Sequence, residues 1–411
     1  MNKKLFTQIC NEWRTNLWLF VELLLVSVVL WFIVDYVYVQ TATYTEPRGF
    51  NADHCYKIEM GYLTAKSPDF NPADTLVAEN IDELVRRLEH RPEIEAVSLS
   101  QNSFPYNGSN SGTQVRYDTL SAGTIRRYVT PGFLRVFQYT GTRGETPEQL
   151  ASLLKENTFL ASDNIFLNKY HTQLTPFVGK SFYLHSDSTK TYTLAASLKT
   201  VRYMDYESAS ESLCMVGLLP RFLYNVGLEL CVRVRPDQDV DFPERLKADS
   251  EKQFRIGNVF ISEIRSFKDI RRNYQQIWVN NIRNYATGMG FLMLNIFLGL
   301  LGTFWFRTQQ RRSEVALQLA LGSTKRSVFG RLLSEALILL TIATIPAIVG
   351  DYNLAHAELN STYNGTNLEP IRFFVTILAT WVLIALMILL GIWFPARKAT
   401  RIQPAEALHE D

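Results

Sequence analysis

Two short stretches of the chain combine glycine, lysine and a hydroxyl residue, which together could bind a phosphate. Phosphate-binding loops follow the pattern G-x-x-x-x-G-K-[ST], because backbone N–H groups surround the phosphates while the lysine reaches them. In the stretch Gly322–Lys325, two residues separate the glycine from the lysine, and Leu317 stands where the first glycine is required. In Gly179–Ser181, Leu174 occupies that position. Neither stretch fits the pattern, so we expect no ATP hydrolysis by this chain alone.

The sequence offers no other set of residues for catalysis or metal binding. It lacks the G-x-S-x-G and H-E-x-x-H motifs, and its six histidines lack metal-ligand spacing. A net charge of +2 gives no indication of a nucleic-acid partner. We therefore expect no catalytic residue, no metal and no cofactor in this chain.

Four long apolar segments indicate how the 411 residues are arranged. They begin at Leu17, Ala286, Leu332 and Phe373. Each has about the 20 residues that a helix needs to cross a hydrocarbon core of about 30 Å, so they predict four transmembrane helices. The first segment is not typical of a cleaved signal peptide, because its apolar run is too long and no small-x-small cleavage site follows it.

The distribution of basic residues predicts the orientation in the membrane. Lys and Arg are concentrated in the N-terminal segment, in residues 307–331 and in the tail after residue 394, whereas the loop 351–370 contains none. Short loops that are rich in Lys and Arg stay in the cytoplasm. We therefore expect both termini and residues 307–331 in the cytoplasm, and residues of about 40–285 outside the membrane.

The predicted boundaries follow from these segments. They are a cytoplasmic interfacial helix at 1–16, transmembrane helices at 17–39, 332–350 and 372–394, an extracytoplasmic domain at 40–267, a stalk helix continuing into the second transmembrane helix at 268–306, a cytoplasmic coupling segment at 307–331, an extracytoplasmic loop at 351–371 and a basic cytoplasmic tail at 395–411.

The extracytoplasmic domain alternates helix and strand signals. Ile81, Leu84 and Leu88 recur at helical spacing, and Thr146 is suited to cap a helix that has Glu148 in its first turn. Strand-like runs occur at 96–100, 113–118, 125–130, 157–162, 180–186, 191–198, 213–218, 228–234 and 258–264. This mixture predicts an α+β domain in two lobes.

Three cysteines, Cys55, Cys214 and Cys231, lie in the predicted extracytoplasmic domain. An odd number of cysteines in an oxidising compartment leaves their state open. Cys214 and Cys231 stand in strand-like runs, so a disulfide and buried free thiols both fit the sequence.

Residues 313–323 form a short apolar stretch in the predicted coupling segment. Ser313 can cap a helix, and Glu314 falls in the first turn, where the helix dipole favours negative charge. Gly322 fits the position that ends a helix, and Thr324 can cap the next one. Such a helix either lies among lipid headgroups or docks into a groove of another protein. The candidate docking residues are Glu314, Val315, Leu317, Ala320, Leu321, Gly322 and Ser323.

At this segment and at the tail, the chain resembles MacB/FtsX-type ABC transporter permeases, the mechanotransmission class. The family has an R-x-x-E-[IV]-G/A pattern after the second span, an A-[LV]-G-[AS] turn and an E-[AG] pair entering the third span. The matching residues are Glu314, Val315, Ala320, Leu321, Gly322, Ser323, Glu335 and Ala336. The family's P-A-x-x-A-x-x-x-x-P-x-x-A-L tail is matched by Pro395, Ala396, Ala399, Pro404, Ala407 and Leu408.

The resemblance implies a multi-pass α-helical protein of the bacterial inner membrane, with a MacB-like periplasmic α+β domain, residues of about 40–285, between helices one and two. It implies that residues 313–323 are a coupling helix seated on a separate cytoplasmic ATPase, which binds the ATP and Mg. It also implies a second permease chain, identical or related, and leaves a periplasmic adaptor open. The implied activity is efflux or extraction of a substrate by movement of the periplasmic domain.

Other interpretations of the same residues stay open at this stage. The chain could be a membrane-anchored sensor or scaffold, an FtsX-like regulator of cell-wall hydrolases, or a membrane enzyme. Two acidic residues, Glu22 and Glu335, lie within or near the predicted spans. Acids inside membranes are expensive and commonly functional, so both are candidate functional residues.

Overall fold

A computed structural model of the chain describes residues 13–184, 187–310, 314–315, 317–318 and 321–399. The chain divides into two compact units. The helical unit comprises the chain up to Ala42 and from Asn280 onwards, and the sheet domain runs from Thr43 to Val279. The interfacial helix predicted at 1–16 and the tail predicted at 395–411 fall mostly outside the described residues.

In chain order, the helices are α1 (Trp13–Thr45), α2 (Val77–Glu89), α3 (Gly132–Val136), α4 (Pro147–Leu153), α5 (Leu167–Tyr170), α6 (Phe242–Gln253), α7 (Phe267–Gln310), α8 (Lys325–His356) and α9 (Pro370–Ala399). The strands are β1 (Cys55–Tyr62), β2 (Ile94–Gln101), β3 (Ser111–Tyr117), β4 (Leu120–Val129), β5 (Thr158–Ser162), β6 (Ser181–Leu184), β7 (Asp187–Leu198), β8 (Cys214–Leu218), β9 (Glu229–Val234) and β10 (Val259–Ser266).

Four of the described helices, α1, α7, α8 and α9, are long and apolar enough to cross a membrane. All four extend beyond the predicted spans. The third helix begins at Lys325 and ends at His356, although the prediction placed it at 332–350. The fourth continues to Ala399, into the predicted tail. The reason is that hydropathy marks only the apolar part of a helix, whereas backbone hydrogen bonding continues through polar turns at each end.

One half of the sheet domain has a ferredoxin-like arrangement. Its strands lie in the order β10-β1-β9-β2, and each neighbouring pair is antiparallel. Helix α2 follows β1 and α6 follows β9, which completes the β-α-β-β-α-β pattern of that fold. The buried residues Ile81, Leu84 and Leu88 of α2 share one apolar core with Phe242 and Leu246 of α6. The predicted helical spacing of the first three is thus confirmed.

The other half is an insertion between β2 and β9. Its strands continue the sheet in the order β4-β3-β6-β7-β5-β8, and β8 also pairs with β4. This second pairing closes the six strands into a ring. Buried apolar side chains of the ring, including Val115, Phe159, Phe182, Leu194 and Met215, form a common core. A closed ring leaves none of these strands with a free edge, which protects them from pairing with other chains.

The three cysteines of the sheet domain are free and buried. Cys55 lies in β1, Cys214 in β8 and Cys231 in β9, and all three belong to the same apolar core. Of the two states that the sequence left open, the structure therefore has the buried thiols.

Candidate functional site

The coupling segment presents two exposed leucine side chains. Leu317 is 51% exposed and Leu321 is 78% exposed, whereas Val315 is only 4% exposed. The backbone N–H of Leu321 donates to the carbonyl of Leu317 at 3.0 Å, so the two residues lie one helical turn apart on the same side. Ala320, the remaining apolar candidate, lies outside the described residues. The segment thus combines one buried apolar contact with an exposed apolar pair.

A sharp turn at Gly322 ends this segment. Its φ angle is +90°, a left-handed conformation that favours glycine. The N–H of Ser323 donates to the carbonyl of Gln318 at 3.0 Å, which is the long hydrogen bond of a Schellman turn. The hydroxyl of Thr324 then accepts from the N–H of Ser327 at 3.2 Å and caps α8. The predicted helix stop and the predicted cap are both confirmed.

Glu314 connects the coupling segment with α8. Its Oε1 atom lies 3.5 Å from a guanidinium nitrogen of Arg331 and accepts from the Gln318 amide at 3.3 Å. Both charged side chains are partly exposed, so their attraction is weak, on the order of 1 kcal/mol or less. The contact orients the segment rather than stabilising it strongly.

Glu22, the first of the two predicted membrane acids, has a partner on another helix. The hydroxyl of Thr303 in α7 lies 3.2 and 3.1 Å from the two carboxylate oxygens of Glu22 in α1. Asn16 and Arg307 are hydrogen-bonded between the same two helices. Glu335, the second acid, is buried on α8. Polar contacts thus join α1 to α7 at two levels.

Sequence reasoning missed an ion pair between Asp35 of α1 and Arg372 of α9. Both side chains are almost completely buried. Asp35 directly follows the first apolar segment and Arg372 directly precedes the fourth. Since both positions lie towards the extracytoplasmic ends of predicted spans, the acid in one span and the base in the other were the available signal.

The stretch Gly179–Ser181 has a structural role in the sheet domain. The ammonium of Lys180 lies 5.7 Å from the ring centre of Tyr117 and 5.5 Å from that of Phe177, which is the geometry of cation–π contacts. Within the described ranges, no group of three or more His, Cys, Asp or Glu side chains could hold a metal ion.

Comparison with known proteins finds a family match for the part of the chain that contains the coupling segment. Residues 286–404 match the family described as FtsX-like permease C-terminal. A solved structure, the extracellular domain of the noncanonic ABC-type transporter YknZ from Gram-positive bacteria, aligns with 50% of this chain and 100% of that chain, at 14% identity and a TM-score of 0.29. No curated protein sequence matches the chain. The family match confirms the predicted resemblance to FtsX-type permeases, which are membrane subunits of ABC transporters.

Proposed function

We propose that this chain, whose residues 286–404 match the FtsX-like permease family, couples ATP hydrolysis by a separate cytoplasmic ATPase to movement of its sheet domain. The proposed result is efflux of a substrate or its extraction from the membrane. The observation that carries the proposal is the exposed pair Leu317 and Leu321 within the family-matched region. The basic residues of 307–331 support a cytoplasmic location of this pair and a periplasmic location of the sheet domain.

The coupling segment has the properties of a docking surface. Fully burying a leucine side chain is worth about 1.5–3 kcal/mol, so two leucines one turn apart can contribute substantially to a complex. The turn at Gly322 separates this short apolar stretch from the membrane helix α8. An amphipathic helix that lays its apolar side into a groove is a common mode of recognition between proteins. The proposed groove belongs to the ATPase.

Helix α7 supplies a covalent route for the proposed coupling. It begins at Phe267 in the sheet domain and continues to Gln310 in the helical unit without a break. Helix α1 likewise ends at Thr45, within the first residues of the sheet domain. We propose that ATP-driven displacement of the helical unit reaches the sheet domain through these two helices.

The proposed assembly contains further chains. A second permease chain, identical or related, would supply the second docking segment for a pair of ATPases, and a periplasmic adaptor is a further proposed partner. Helix α7 offers exposed apolar side chains, among them Phe291, Leu294 and Leu298, for contact with lipid or with the second permease. ATP and Mg would be bound by the ATPase, and no cofactor by this chain.

The test needs a candidate partner, which is an ATPase with Walker motifs to be sought among the reading frames next to that of this permease. Leu317→Asp combined with Leu321→Asp should abolish co-purification of the ATPase with the full-length permease while membrane insertion remains normal. Leu359→Asp is the matched control, because Leu359 is also exposed (62%) but lies in the connection between α8 and α9. Unchanged co-purification of the double variant would overturn the proposal.

A further inference from the structure

Residues 202–209, which we call the joint, contact two segments: the one through which the chain enters the sheet domain and the one through which it leaves. The joint lies in the connection between β7 and β8. The chain enters the sheet domain through the last turn of α1 at Thr43 and leaves it along the first turns of α7. All contacts described below lie within the sheet domain.

The entry side of the joint is held mainly by backbone groups. The N–H of Arg202 donates to the carbonyl of Arg48 at 2.9 Å, and its guanidinium donates to the carbonyl of Glu46 at 2.8 Å. The carboxylate of Glu46 in turn accepts from the N–H of Ala209 at 3.0 Å. The rings of Tyr44 and Tyr206 lie 5.7 Å apart. The last turn of α1 and the residues after it are therefore fastened to the joint at several points.

The exit side is held by an ion pair. Arg271, in the second turn of α7, donates from Nε to the Oδ2 atom of Asp205 at 2.6 Å. The Asp205 side chain is only 2% exposed, and its Oδ1 atom accepts from the hydroxyl of Tyr106 at 3.1 Å. One turn further along α7, the ring of Tyr274 lies 5.9 Å from that of Tyr203 in the joint.

Arg202 connects the two sides. Besides the carbonyl of Glu46, its guanidinium donates to the carbonyl of Asp205 at 2.5 Å and to that of Glu207 at 2.9 Å. Arg202 is fully buried, so its charge depends on these three carbonyls for solvation. The backbone that carries the Asp205 carboxylate is thereby held by the same side chain that holds the entry residue. Loss of a contact on the exit side should weaken the hydrogen bonds on the entry side, because interactions within one buried network are not independent.

We propose that the joint mechanically couples α1 to α7, with Arg202 and Asp205 as its positioning residues. Displacement of either helix then moves both connections together and pulls on β7 and β8, the two strands between which the joint lies. Both strands belong to the closed ring, so this ring is the part of the sheet domain that receives the movement. The inference rests on the proposed function for the origin of the displacement, but the coupling itself is a property of this chain.

The experiment perturbs the exit side and measures the entry side. The variant is Arg271→Gln in the full-length chain, reconstituted in lipid nanodiscs. It removes the positive charge of the ion pair at Arg271, which is the partly exposed partner. We expect amide hydrogen exchange of peptides covering residues 43–49 and 200–211 to become about tenfold faster or more, since loss of a charged hydrogen bond lowers local opening free energies. Arg272→Gln is the matched control, because Arg272 is the next residue and its side chain is 73% exposed. Faster exchange confined to α7, with exchange of residues 43–49 unchanged, would overturn the proposed coupling.

A second variant approaches the pair from its buried side. Asp205→Asn should accelerate amide hydrogen exchange in the same peptides. If this variant instead unfolds the domain, as judged by exchange of the central strand β9, the Arg271 variant alone decides. Adding the ATPase separates this inference from the proposed function. Arg271→Gln should retain ATPase co-purification but lose any ATP-dependent change of exchange in β8. A wild-type chain that binds no ATPase would refute the proposed function and leave the nucleotide-free exchange test valid.

Discussion

Asp35 and Arg372 form a two-point ion pair that holds α1 against α9. The guanidinium donates from Nε to Oδ1 at 2.7 Å and from Nη2 to Oδ2 at 2.5 Å, and the side chains are 2% and 1% exposed. The amide of Asn360 donates to Oδ2 at 3.0 Å, and the carbonyl of Ser361 accepts from Nη2 at 2.6 Å. The pair therefore also fastens the connection between α8 and α9. Parallel hydrogen bonds between charged groups are among the strongest in proteins.

Breaking this pair from one side should destabilise the helical unit markedly. Arg372→Met leaves the buried Asp35 carboxylate without its counter-charge, and we expect a loss of about 3–5 kcal/mol in the free energy of unfolding. The double variant Asp35→Leu with Arg372→Met should recover much of that loss, because no buried charge is left unpaired. A double-mutant cycle on the chain in detergent measures both effects. Single and double variants that are equally unstable would contradict this account.

The contact between Glu22 and Thr303 should stabilise the packing of α1 against α7. Thr303→Val keeps the side-chain shape but removes the hydroxyl that the carboxylate contacts, and we expect destabilisation by about 1–3 kcal/mol. Thr341→Val is the matched control, because the hydroxyl of Thr341 donates to the Leu337 carbonyl of its own helix, at 2.8 Å. Thermal unfolding in detergent compares the two variants. Equal effects would show that Glu22 gains nothing from Thr303.

Gly322→Ala should weaken the turn that ends the coupling segment. Apart from its two chain neighbours, no atom of the described residues lies within 4 Å of an added Cβ, so we expect the penalty of a left-handed backbone, about 1 kcal/mol. Gly330→Ala is the control, since that glycine is equally open but lies inside α8, where alanine is favoured. We expect faster exchange of the Ser323 amide and weaker ATPase co-purification only for the first variant. Identical behaviour of both variants would argue against a functional turn.

The buried thiols of the sheet domain should make its stability fall in alkaline solution. Burial raises the pKa of Cys55 to about 12, so the folded chain keeps a proton that the unfolded chain releases near its ordinary pKa of about 8.5. The stabilisation is therefore complete below about pH 8.5 and is lost as the pH rises towards 12. The expected slope is about 1.4 kcal/mol per pH unit for one thiol. Denaturant unfolding between pH 8 and pH 10 measures it, and Cys55→Ala should reduce the slope. An unchanged slope in that variant would exclude Cys55 as a contributor.

The features that could be predicted from sequence are those determined by neighbouring residues. The Thr146 cap is an example: its hydroxyl accepts from Gln149 and the Gln149 side chain accepts in return, three residues away. Strand β1 was missed although its alternation was present, with Tyr56, Ile58 and Met60 buried and the residues between them partly exposed. The Asp35–Arg372 pair joins residues 337 positions apart, and no local pattern specifies which distant charge will meet which.

The candidate site was predictable to a similar extent. The helix stop at Gly322 follows from glycine chemistry, and the order of apolar residues indicated a docking segment. Which of its apolar side chains are exposed could not be derived, because exposure depends on how the segment packs. Val315 is buried, whereas Leu317 is not. The partner of Glu22 depends likewise on how α1 packs against α7.

The insertion in the sheet domain begins and ends at neighbouring backbone positions. Ser100 near the end of β2 is the register partner of Glu229 at the start of β9, so residues 102–228 leave and rejoin the ferredoxin-like half at one place. A tight two-residue hairpin could bridge the same gap geometrically. A change in the length of the insertion outside β2, β9 and the joint should therefore leave the register of the ferredoxin-like strands unchanged.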